Sequence, residues 1–324
     1  MNDNSFLNME IYIEMVCPSQ GMNLTIVSNL VMDTILGEDG VQTESVGGPP
    51  CYAGLTSKNL GFTINIVTRF GKNLKDEYLH ILKRGGITLE PSGMSSLPTT
   101  KFLIQTLGRS RKLTLESNCE KIRLSDVEHI KTDGWLISPV LDEVPETVLE
   151  YIKNNPGKKN FVMLDPQGYT RMVDPSGMIE LKNETHLNLK NINAIKLDTA
   201  ELGSMTGGVF GLSGMKKIHT HYGVKFVIHT EEGTIHVSDT NTHFWLNLPH
   251  VKIPDSTGLG DIISSAFSCT FMRENDVVWA FCFAVGAAAA TLDSKCRGVE
   301  KIPKRSKVEE NASYYYNTLK YEKL

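Results

Sequence analysis

The segment Pro254–Phe267, PDSTGLGDIISSAF, places two glycines, a carboxylate and a run of helix-compatible residues directly after a strand-prone stretch. The first turn of a helix leaves about four backbone N–H groups without partners and carries about half a positive charge. Because Gly258 and Gly260 lack Cβ atoms, an anion can approach the amides of residues 258–260 closely. The pattern predicts an anion-binding turn at the start of a helix.

Asp261 follows this turn at once. A carboxylate at an anion site would repel a phosphate unless it takes part in the reaction, which favours a general base in phosphoryl transfer from a nucleotide to a hydroxyl. The alternative is that Asp261 is a helix N-terminal acid favoured by the dipole, and that the glycines form an ordinary tight turn. For this segment alone, both interpretations stay open.

The composition narrows the possible functions. The 324 residues contain 33 Lys+Arg and 37 Asp+Glu, a net charge of −4, so there is no basic field to attract nucleic acid. The six cysteines form no CxxC pair, which predicts reduced thiols in a cytoplasmic protein. The most apolar segment, Val277–Leu292, is shorter than the roughly 20 residues of a membrane span, so we expect a buried helix and no membrane contact.

Strand-like and helix-like segments alternate along the chain. The predicted strands are Leu24–Ser28, Ile64–Thr68, Trp135–Ile137, Phe161–Asp165, Ala194–Leu197 and Lys225–His229. The predicted helices are Tyr52–Leu60, Leu74–Lys83, Val144–Asn154, Thr199–Met205 and Gly211–Tyr222. Several strands are apolar at nearly every residue, as strands buried on both faces are. The alternation predicts an α/β fold with a doubly wound, mainly parallel sheet flanked by helices, which binds ligands at the carboxyl ends of its strands.

Two β-prone regions interrupt this alternation, Asp33–Ser45 and Thr99–Ser117, the second with a turn at GRSRK. They predict a small β lid formed by about residues 34–46 and 98–118. We expect one domain over residues 23–324, preceded by an N-terminal extension of residues 1–22. The tail, Val308–Leu324, is predicted to be a terminal helix.

Several motifs together resemble one known family. DSTGLGD is similar to the signature DTxGAGD of the ribokinase-like, PfkB-type carbohydrate kinase family, and further motifs follow the family's order from about residue 24 to 304. SNLVMD and VGGPP resemble its first strand and paired glycines, TTKFLIQTLGRSRKL resembles its lid strands, and LDPQGYTR and LDTAEL lie where its middle strands end. The resemblance implies a ribokinase-like fold and ATP-dependent transfer of the γ-phosphoryl group to a sugar, a polyol such as inositol, or a nucleoside.

The resemblance also implies roles for individual residues. Asp261 would be the catalytic base, with the backbone of Gly258, Leu259 and Gly260 as the anion hole. Glu201 would organise Mg²⁺ through water, although a helix-capping pair of Asp198 and Glu201 is the alternative. The predicted acceptor contacts are Asp33, Gly47, Gly48 and Tyr52, to which Arg171 is added because it follows a strand's carboxyl end. The predicted nucleotide contacts are Asp198, Thr230, Gly233, Thr257, Gly258 and Gly260.

The chain departs from the family pattern at three places. Tyr52 stands near the position of a substrate-binding Asn, Ile228 and Thr230 stand where the nucleotide-side segment has Thr and Gly, and Leu259 replaces the Ala between the signature glycines. The sequence leaves open which acceptor is used, whether a monovalent cation takes part, and whether lid strands pair in a homodimer. A non-catalytic sugar- or nucleotide-binding sensor on the same fold is the alternative function. The nucleotide base is expected beside the helix Phe281–Leu292, where Gly286 is small.

Overall fold

The computed structural model describes residues 21–36, 40–107, 110–249, 256–294 and 296–324. The predicted N-terminal extension lies outside the described residues except for its last two positions. The predicted turn at GRSRK likewise falls partly outside them, at residues 108 and 109.

The bounds of the elements are as follows, within the described ranges. The strands are β1 (Asn23–Val27), β2 (Val31–Leu36), β3 (Gln42–Gly47), β4 (Thr63–Val67), β5 (Phe70–Gly71), β6 (Met94–Ser95), β7 (Thr100–Leu107), β8 (Ser110–Ser117), β9 (Gly134–Ile137), β10 (Phe161–Leu164), β11 (Arg171–Val173), β12 (Ile179–Leu181), β13 (Ala194–Asp198), β14 (Phe226–Glu231), β15 (Thr234–Ser238), β16 (Thr242–Asn247) and β17 (Lys320–Lys323). The helices are α1 (Pro49–Asn59), α2 (Asp76–Arg84), α3 (Glu146–Asn154), α4 (Gln167–Thr170), α5 (Thr199–Thr206), α6 (Gly211–Tyr222), α7 (Leu259–Glu274), α8 (Val277–Asp293) and α9 (Arg305–Thr318).

The main sheet contains nine of the described strands, in the order β17-β16-β15-β14-β13-β10-β9-β1-β4. The pairs from β14 through β4 are parallel, and β14 to β17 form an antiparallel extension. Strand β10 is buried at every residue, because helices cover both faces of the sheet. The predicted α/β fold with a mainly parallel sheet is confirmed.

A second sheet stands at the edge of the domain where the parallel strands end. Its four described strands run in the order β3-β2-β7-β8, with β2 and β7 parallel and the other pairs antiparallel. Phe102 and Ile104 of β7 are buried against Val31 and Val140. We call this sheet the lid sheet; it contains both regions that the sequence assigns to a small β lid.

The C-terminal tail differs from the prediction. A single helix over Val308–Leu324 is wrong, because α9 ends at Thr318 and the chain continues as β17. Strand β17 pairs antiparallel with β16, and His243 Nδ1 lies 3.0 Å from Glu322 Oε1 across this pair. Strand β17 supplies hydrogen-bond partners for the backbone groups at the edge of β16. A helix over residues 320–323 would leave those groups without partners.

A short hairpin, β11–β12, is an element that the sequence did not indicate. Its turn is closed by Asp174, whose Oδ1 accepts hydrogen bonds from the amides of Ser176 and Met178, both at 2.8 Å. At its tip, the amide of Leu115 in β8 donates to the carbonyl of Gly177 at 2.8 Å. The tip of the hairpin therefore contacts the edge of the lid sheet at β8.

Helix α8 lies inside the domain, with most of its residues buried. A Cβ at Gly286 would lie 2.8 Å from the carbonyl oxygen of Val308 and 2.9 Å from the amide nitrogen of Ala312, so this glycine allows α8 and α9 to pack closely. Among the helices in the described ranges, none combines the length and apolar composition needed to cross a bilayer. The five cysteines in the same ranges are not in disulfides.

Candidate active site

A cavity of about 480 Å³ opens between the carboxyl ends of the parallel strands, the start of α7, the lid sheet and the hairpin. It is the place where ligands bind in open α/β sheets. The side chains and turns that line it come from all four of these parts. The lining residues are Val31, Asp33, Gly48, Pro49, Tyr52, Phe102, Ile104, Leu113, Val140, Asp165, Gln167, Arg171, Ile179, Glu180, Leu181, Lys196, Asp198, Glu201, Ser256, Thr257, Gly258, Leu259, Gly260 and Asp261.

The glycine turn begins α7, as predicted. Gly258 is the N-cap residue and has φ 76°, in the left-handed region that favours glycine. A Cβ there would lie 2.2 Å from the ring of Tyr52, so the turn also depends on the absence of a side chain. The Leu259 amide donates to the Ser256 carbonyl at 3.2 Å, whereas the Gly258 and Gly260 amides have no hydrogen bond to the described residues. Two of the three predicted donors are thus available to an anion.

Asp261 lies in the first turn of α7 and is 6% exposed. Its Oδ1 accepts a hydrogen bond from Ser138 Oγ at 3.2 Å. Burial and the neighbouring charge of Asp165 raise the pKa of Asp261 to about 7, although Lys196, Ser138 and Arg171 act in the opposite direction. A carboxyl group with a pKa near neutrality is suited to accept a proton from an alcohol.

A buried lysine stands beside the glycine turn. Lys196 Nζ lies 3.2 Å from Asp165 Oδ2 and 3.6 Å from Glu201 Oε2. Burial alone would lower the pKa of Lys196, but the negative charges of these two carboxylates and of Asp198 raise it above its ordinary value, so the side chain is a cation. A Cβ at Gly260 would lie 2.9 Å from this ammonium group, which places a positive charge directly against the anion turn.

Asp198 and Glu201 form a capping box at the start of α5. The Glu201 amide donates to Asp198 Oδ1 at 2.8 Å, and the Asp198 amide donates to Glu201 Oε2 at 2.7 Å. Burial raises the pKa of Glu201 to about 7, with Lys196 opposing this and the carboxylates of Asp165 and Asp198 adding to it. The capping alternative therefore describes the local structure, and both side chains also line the cavity.

The acceptor side of the cavity is built around the paired glycines. Asp33 on β2 is 4% exposed, and a Cβ at Gly47 would lie 2.5 Å from its Oδ2, so Gly47 makes room for this carboxylate. Gly48, with φ 78°, is the N-cap residue of α1. Burial, with the charges of Asp33 and Asp261, raises the pKa of the Cys51 thiol in the first turn of α1. Of the two glycines, Gly48 lines the cavity.

Arg171 lies at the base of the hairpin, next to the cavity. Its Nη1 donates to the Val140 carbonyl at 2.8 Å and its Nη2 donates to Gln167 Oε1 at 2.9 Å. The loop that carries Val140 is held by Glu143, a buried carboxylate that accepts the amides of Val140 and Leu141, both at 2.8 Å. Arg171 thus faces the cavity in a fixed orientation.

Two of the predicted nucleotide contacts are not part of the cavity lining. Thr230 pairs with Asp198 across β14 and β13, and Gly233 forms the turn between β14 and β15 with φ 75°. Neither is among the described residues that line the cavity. Thr257 and Asp198 do line it. Gly286, on the helix beside which the sequence places a nucleotide base, packs against α9.

Sequence reasoning missed several residues of the site. Lys196, Asp165 and Glu180 carry charge into the cavity, Gln167 orients Arg171, and Ser138 bonds to Asp261. One usable signal was Lys196 itself, a charged residue within the otherwise apolar strand AIKL. A charged residue in such a strand needs a buried partner.

No protein-family model and no curated protein sequence matches this chain. Solved structures do match it. A pyrophosphate-dependent kinase in the ribokinase family, complexed with a pyrophosphate analog and myo-inositol, has a TM-score of 0.75 at 21% identity, covering 89% of this chain and 99% of that chain. Ribokinase from Thermotoga maritima has a TM-score of 0.71 at 18% identity, covering 90% of this chain and 99% of that chain.

The chain has the ribokinase fold.

A third structure, a fructokinase double mutant from Vibrio cholerae O395 with bound fructose, ADP and potassium ion, has a TM-score of 0.71 at 16% identity and covers 90% of this chain and 98% of that chain. The ribokinase fold accounts for the main sheet and the lid sheet together. At these identities the likeness establishes the fold, and the chemistry of this chain must come from its own site.

Proposed function

We propose that this chain is a kinase that transfers a terminal phosphoryl group from a phosphoanhydride donor to a hydroxyl of a small sugar or polyol. The single observation that carries the proposal is Asp261: a buried carboxyl group with a pKa of about 7, in the first turn of α7 and beside the backbone donors of Gly258 and Gly260. A base and an anion site in contact are what phosphoryl transfer to an alcohol requires.

In the proposed reaction the acceptor hydroxyl lies against Asp261, which takes its proton as the oxygen attacks the terminal phosphorus. The bond between that phosphorus and the bridging oxygen of the donor breaks, and the bridging oxygen leaves with the rest of the donor. The amides of Gly258 and Gly260 and the ammonium group of Lys196 stabilise the charge on the migrating group. Because the cavity lies under the lid sheet, we propose that this sheet acts as a lid that excludes water and so limits hydrolysis.

The donor is proposed to be ATP or pyrophosphate. The sequence resemblance favours ATP as the donor, whereas one solved structure with the same fold is a pyrophosphate-dependent kinase. Both donors present a terminal phosphate to the same amides and to Lys196. Thr257 and Asp198 line the cavity and would contact a nucleotide, while Thr230 and Gly233 lie outside its lining.

The residues present fit a hydrated Mg²⁺ that is bound mainly by the donor phosphates. Within the described ranges no three His, Cys, Asp or Glu side chains are arranged to hold a metal ion by themselves. Asp198 and Glu201 each use one carboxylate oxygen in the capping box, and the other oxygen can accept hydrogen bonds from metal-bound water. The ion would neutralise phosphate charge.

A panel assay tests the proposal. The protein is incubated with Mg-ATP or Mg-pyrophosphate and with ribose, fructose, myo-inositol or adenosine, and phosphorylated acceptor is measured by mass spectrometry. We expect product with at least one sugar or polyol, and far less product with Asp261→Asn. Measurable acceptor binding without product for any pair would instead support the alternative, a sugar- or nucleotide-binding sensor.

A further inference from the structure

The carboxylate of Asp261 is held at one of its two oxygens by a buried serine. Ser138 is fully buried, and its Oγ donates a hydrogen bond to Asp261 Oδ1 at 3.2 Å. No other group among the described residues donates a hydrogen bond to this carboxylate, so Oδ2 accepts none from them. Asp261 lines the cavity, whereas Ser138 is not one of the described lining residues. Oδ2 is therefore the oxygen left for a ligand.

Ser138 is itself fixed at the end of the parallel sheet. It directly follows β9, and its amide donates to the carbonyl of Val27, the last residue of β1, at 3.1 Å. The loop that begins at Ser138 is held two residues further on, where Glu143 accepts the amides of Val140 and Leu141, both at 2.8 Å. The hydroxyl group therefore reaches Asp261 from a backbone that is anchored on both sides.

The charged groups around Asp261 act on its ionisation without fixing its orientation. Burial and the charge of Asp165, which follows β10, raise the pKa of Asp261, whereas Lys196 on β13 and Arg171 on β11 lower it. The Cys51 thiol of α1 is near enough for the charge of Asp261 to raise its pKa. None of these four groups hydrogen-bonds to Asp261 within the described ranges. Because the terminal torsion of an aspartate has no sharply preferred value, its plane must be set by a contact at a particular atom.

We propose that Ser138 is the positioning residue of the catalytic base. Its hydroxyl group holds Asp261 Oδ1, so that Oδ2 faces the acceptor hydroxyl and takes its proton as the acceptor oxygen attacks the phosphorus. Without this contact the carboxylate samples orientations in which neither oxygen meets the acceptor, and general-base catalysis is lost in those orientations. The inference rests on the proposed kinase function and adds to it a residue that acts through Asp261 without contacting the substrate.

The kinetic test compares Ser138→Ala with the control Ser265→Ala. Ser265 is also fully buried and lies on α7 with Asp261, but its Oγ donates to the Ile262 carbonyl at 3.1 Å. The dependence of kcat and kcat/KM on pH is measured between pH 5.5 and 9.5 with the donor and acceptor found in the panel assay. Because a hydrogen bond to a carboxylate lowers its pKa, Ser138→Ala should raise the apparent pKa of the rate by about one unit.

The lost orientation should also lower the rate in the plateau above that apparent pKa. We expect kcat and kcat/KM of Ser138→Ala to fall together by about tenfold there, since the contact matters in the transition state and not for binding of the acceptor. Ser265→Ala should keep the apparent pKa and the plateau rate of the wild type.

Urea unfolding at pH 5 and pH 8 tests the same contact without turnover. At pH 8 the folded protein carries an ionised Asp261, whose hydrogen bond from Ser138 is charge-assisted, whereas at pH 5 the carboxyl group is protonated and the bond is weaker. Since Ser138 lowers the pKa of Asp261 in the folded state, Ser138→Ala should lower the urea midpoint more at pH 8 than at pH 5. Ser265→Ala should lower it equally at both pH values.

Two results would overturn the inference: an active Ser138→Ala enzyme with the apparent pKa and plateau rate of the wild type, or a loss of stability in Ser138→Ala that is equal at pH 5 and pH 8. The two proposals can fail separately, because unfolding does not depend on turnover. A pH-dependent loss of stability in a protein that transfers no phosphoryl group would refute the kinase and retain the hold of Ser138 on Asp261. Transfer that is insensitive to Ser138→Ala would retain the kinase and refute the positioning role.

Discussion

Replacing Asp261 by Asn should stabilise the protein while it slows catalysis, and the gain in the free energy of unfolding should depend on pH. Asp261 has a pKa of about 7 in the folded state, because of burial and the nearby charge of Asp165, whereas an unfolded Asp titrates near 3.9. A group whose pKa is raised on folding contributes stability below its unfolded pKa, and that contribution is lost as the pH rises through the folded pKa. The ionised side chain therefore destabilises the fold.

The magnitude of this stabilisation follows from the difference of about 3 pH units between the folded and unfolded pKa values of Asp261, at about 1.4 kcal/mol for each unit. At pH 8 both titrations are nearly complete, and Asp261→Asn should raise the free energy of unfolding by about 4 kcal/mol. At pH 5 the folded wild type is still protonated at Asp261, and the gain in the free energy of unfolding should fall to about 1–2 kcal/mol. The Asn side chain keeps an oxygen that can accept the hydrogen bond from Ser138, so the local packing is retained.

Urea unfolding followed by tryptophan fluorescence at pH 5, 6, 7 and 8 measures both the gain and its pH dependence. Asp142→Asn is the matched control, since Asp142 is exposed and pairs with Lys121 at the surface, and it should change stability by less than about 1 kcal/mol at every pH. A variant Asp261→Asn that is less stable than the wild type at pH 8, or a gain that is equal at pH 5 and pH 8, would refute the assignment of a buried, charged Asp261.

Two further substitutions test the surroundings of this carboxylate. Gly258→Ala should lower the free energy of unfolding by about 2–4 kcal/mol and abolish phosphoryl transfer, because the added Cβ clashes with Tyr52 and the backbone has a positive φ. The control Gly208→Ala, at φ 82° with nothing within 4 Å of the added Cβ, should lower it by only about 1 kcal/mol. Equal losses of stability for the two variants in thermal unfolding would contradict the clash. Lys196→Met should lower the free energy of unfolding by about 3–5 kcal/mol at pH 7.5, because it leaves buried carboxylates uncompensated, and part of this loss should be recovered at pH 5.5, where more of these groups are protonated. The same substitution should raise KM for the donor, and a KM for the donor like that of the surface control Lys121→Met would rule out a contact between Lys196 and the donor.

The parts of the fold that could be predicted from the sequence are those with strong local patterns. Buried parallel strands are apolar at nearly every position, so β10 and β13 were predicted within about one residue of their bounds, and the alternation with helices gave the sheet type. The tail was mispredicted because β17 is stabilised by pairing with β16, a partner more than 70 residues away. Its four residues are all exposed and give no signal of burial.

In the candidate site, too, the residues that could be predicted are those with a local sequence pattern, and the residues that were missed depend on contacts made by the fold. The turn at Gly258 and the position of Asp261 follow from neighbouring residues, and both were predicted. Lys196 and Glu180 were missed, because their importance depends on residues that only the fold brings near. Lys196 meets a carboxylate at the end of another strand, and Glu180 reaches the cavity only because its hairpin pairs with the lid sheet. Thr230 was predicted from its place along the chain, yet it lies outside the cavity lining.

The central claim is that Asp261 accepts the proton of the acceptor hydroxyl. It is tested most directly by the pH dependence of kcat/KM between pH 5.5 and 8.5 with the donor and acceptor found in the panel assay. We predict a rate that rises with pH through an apparent pKa near 7, and a loss of about 10²–10⁴-fold in Asp261→Asn that no pH restores. A flat profile in the wild type, or Asp261→Asn with rates close to the wild type, would contradict it.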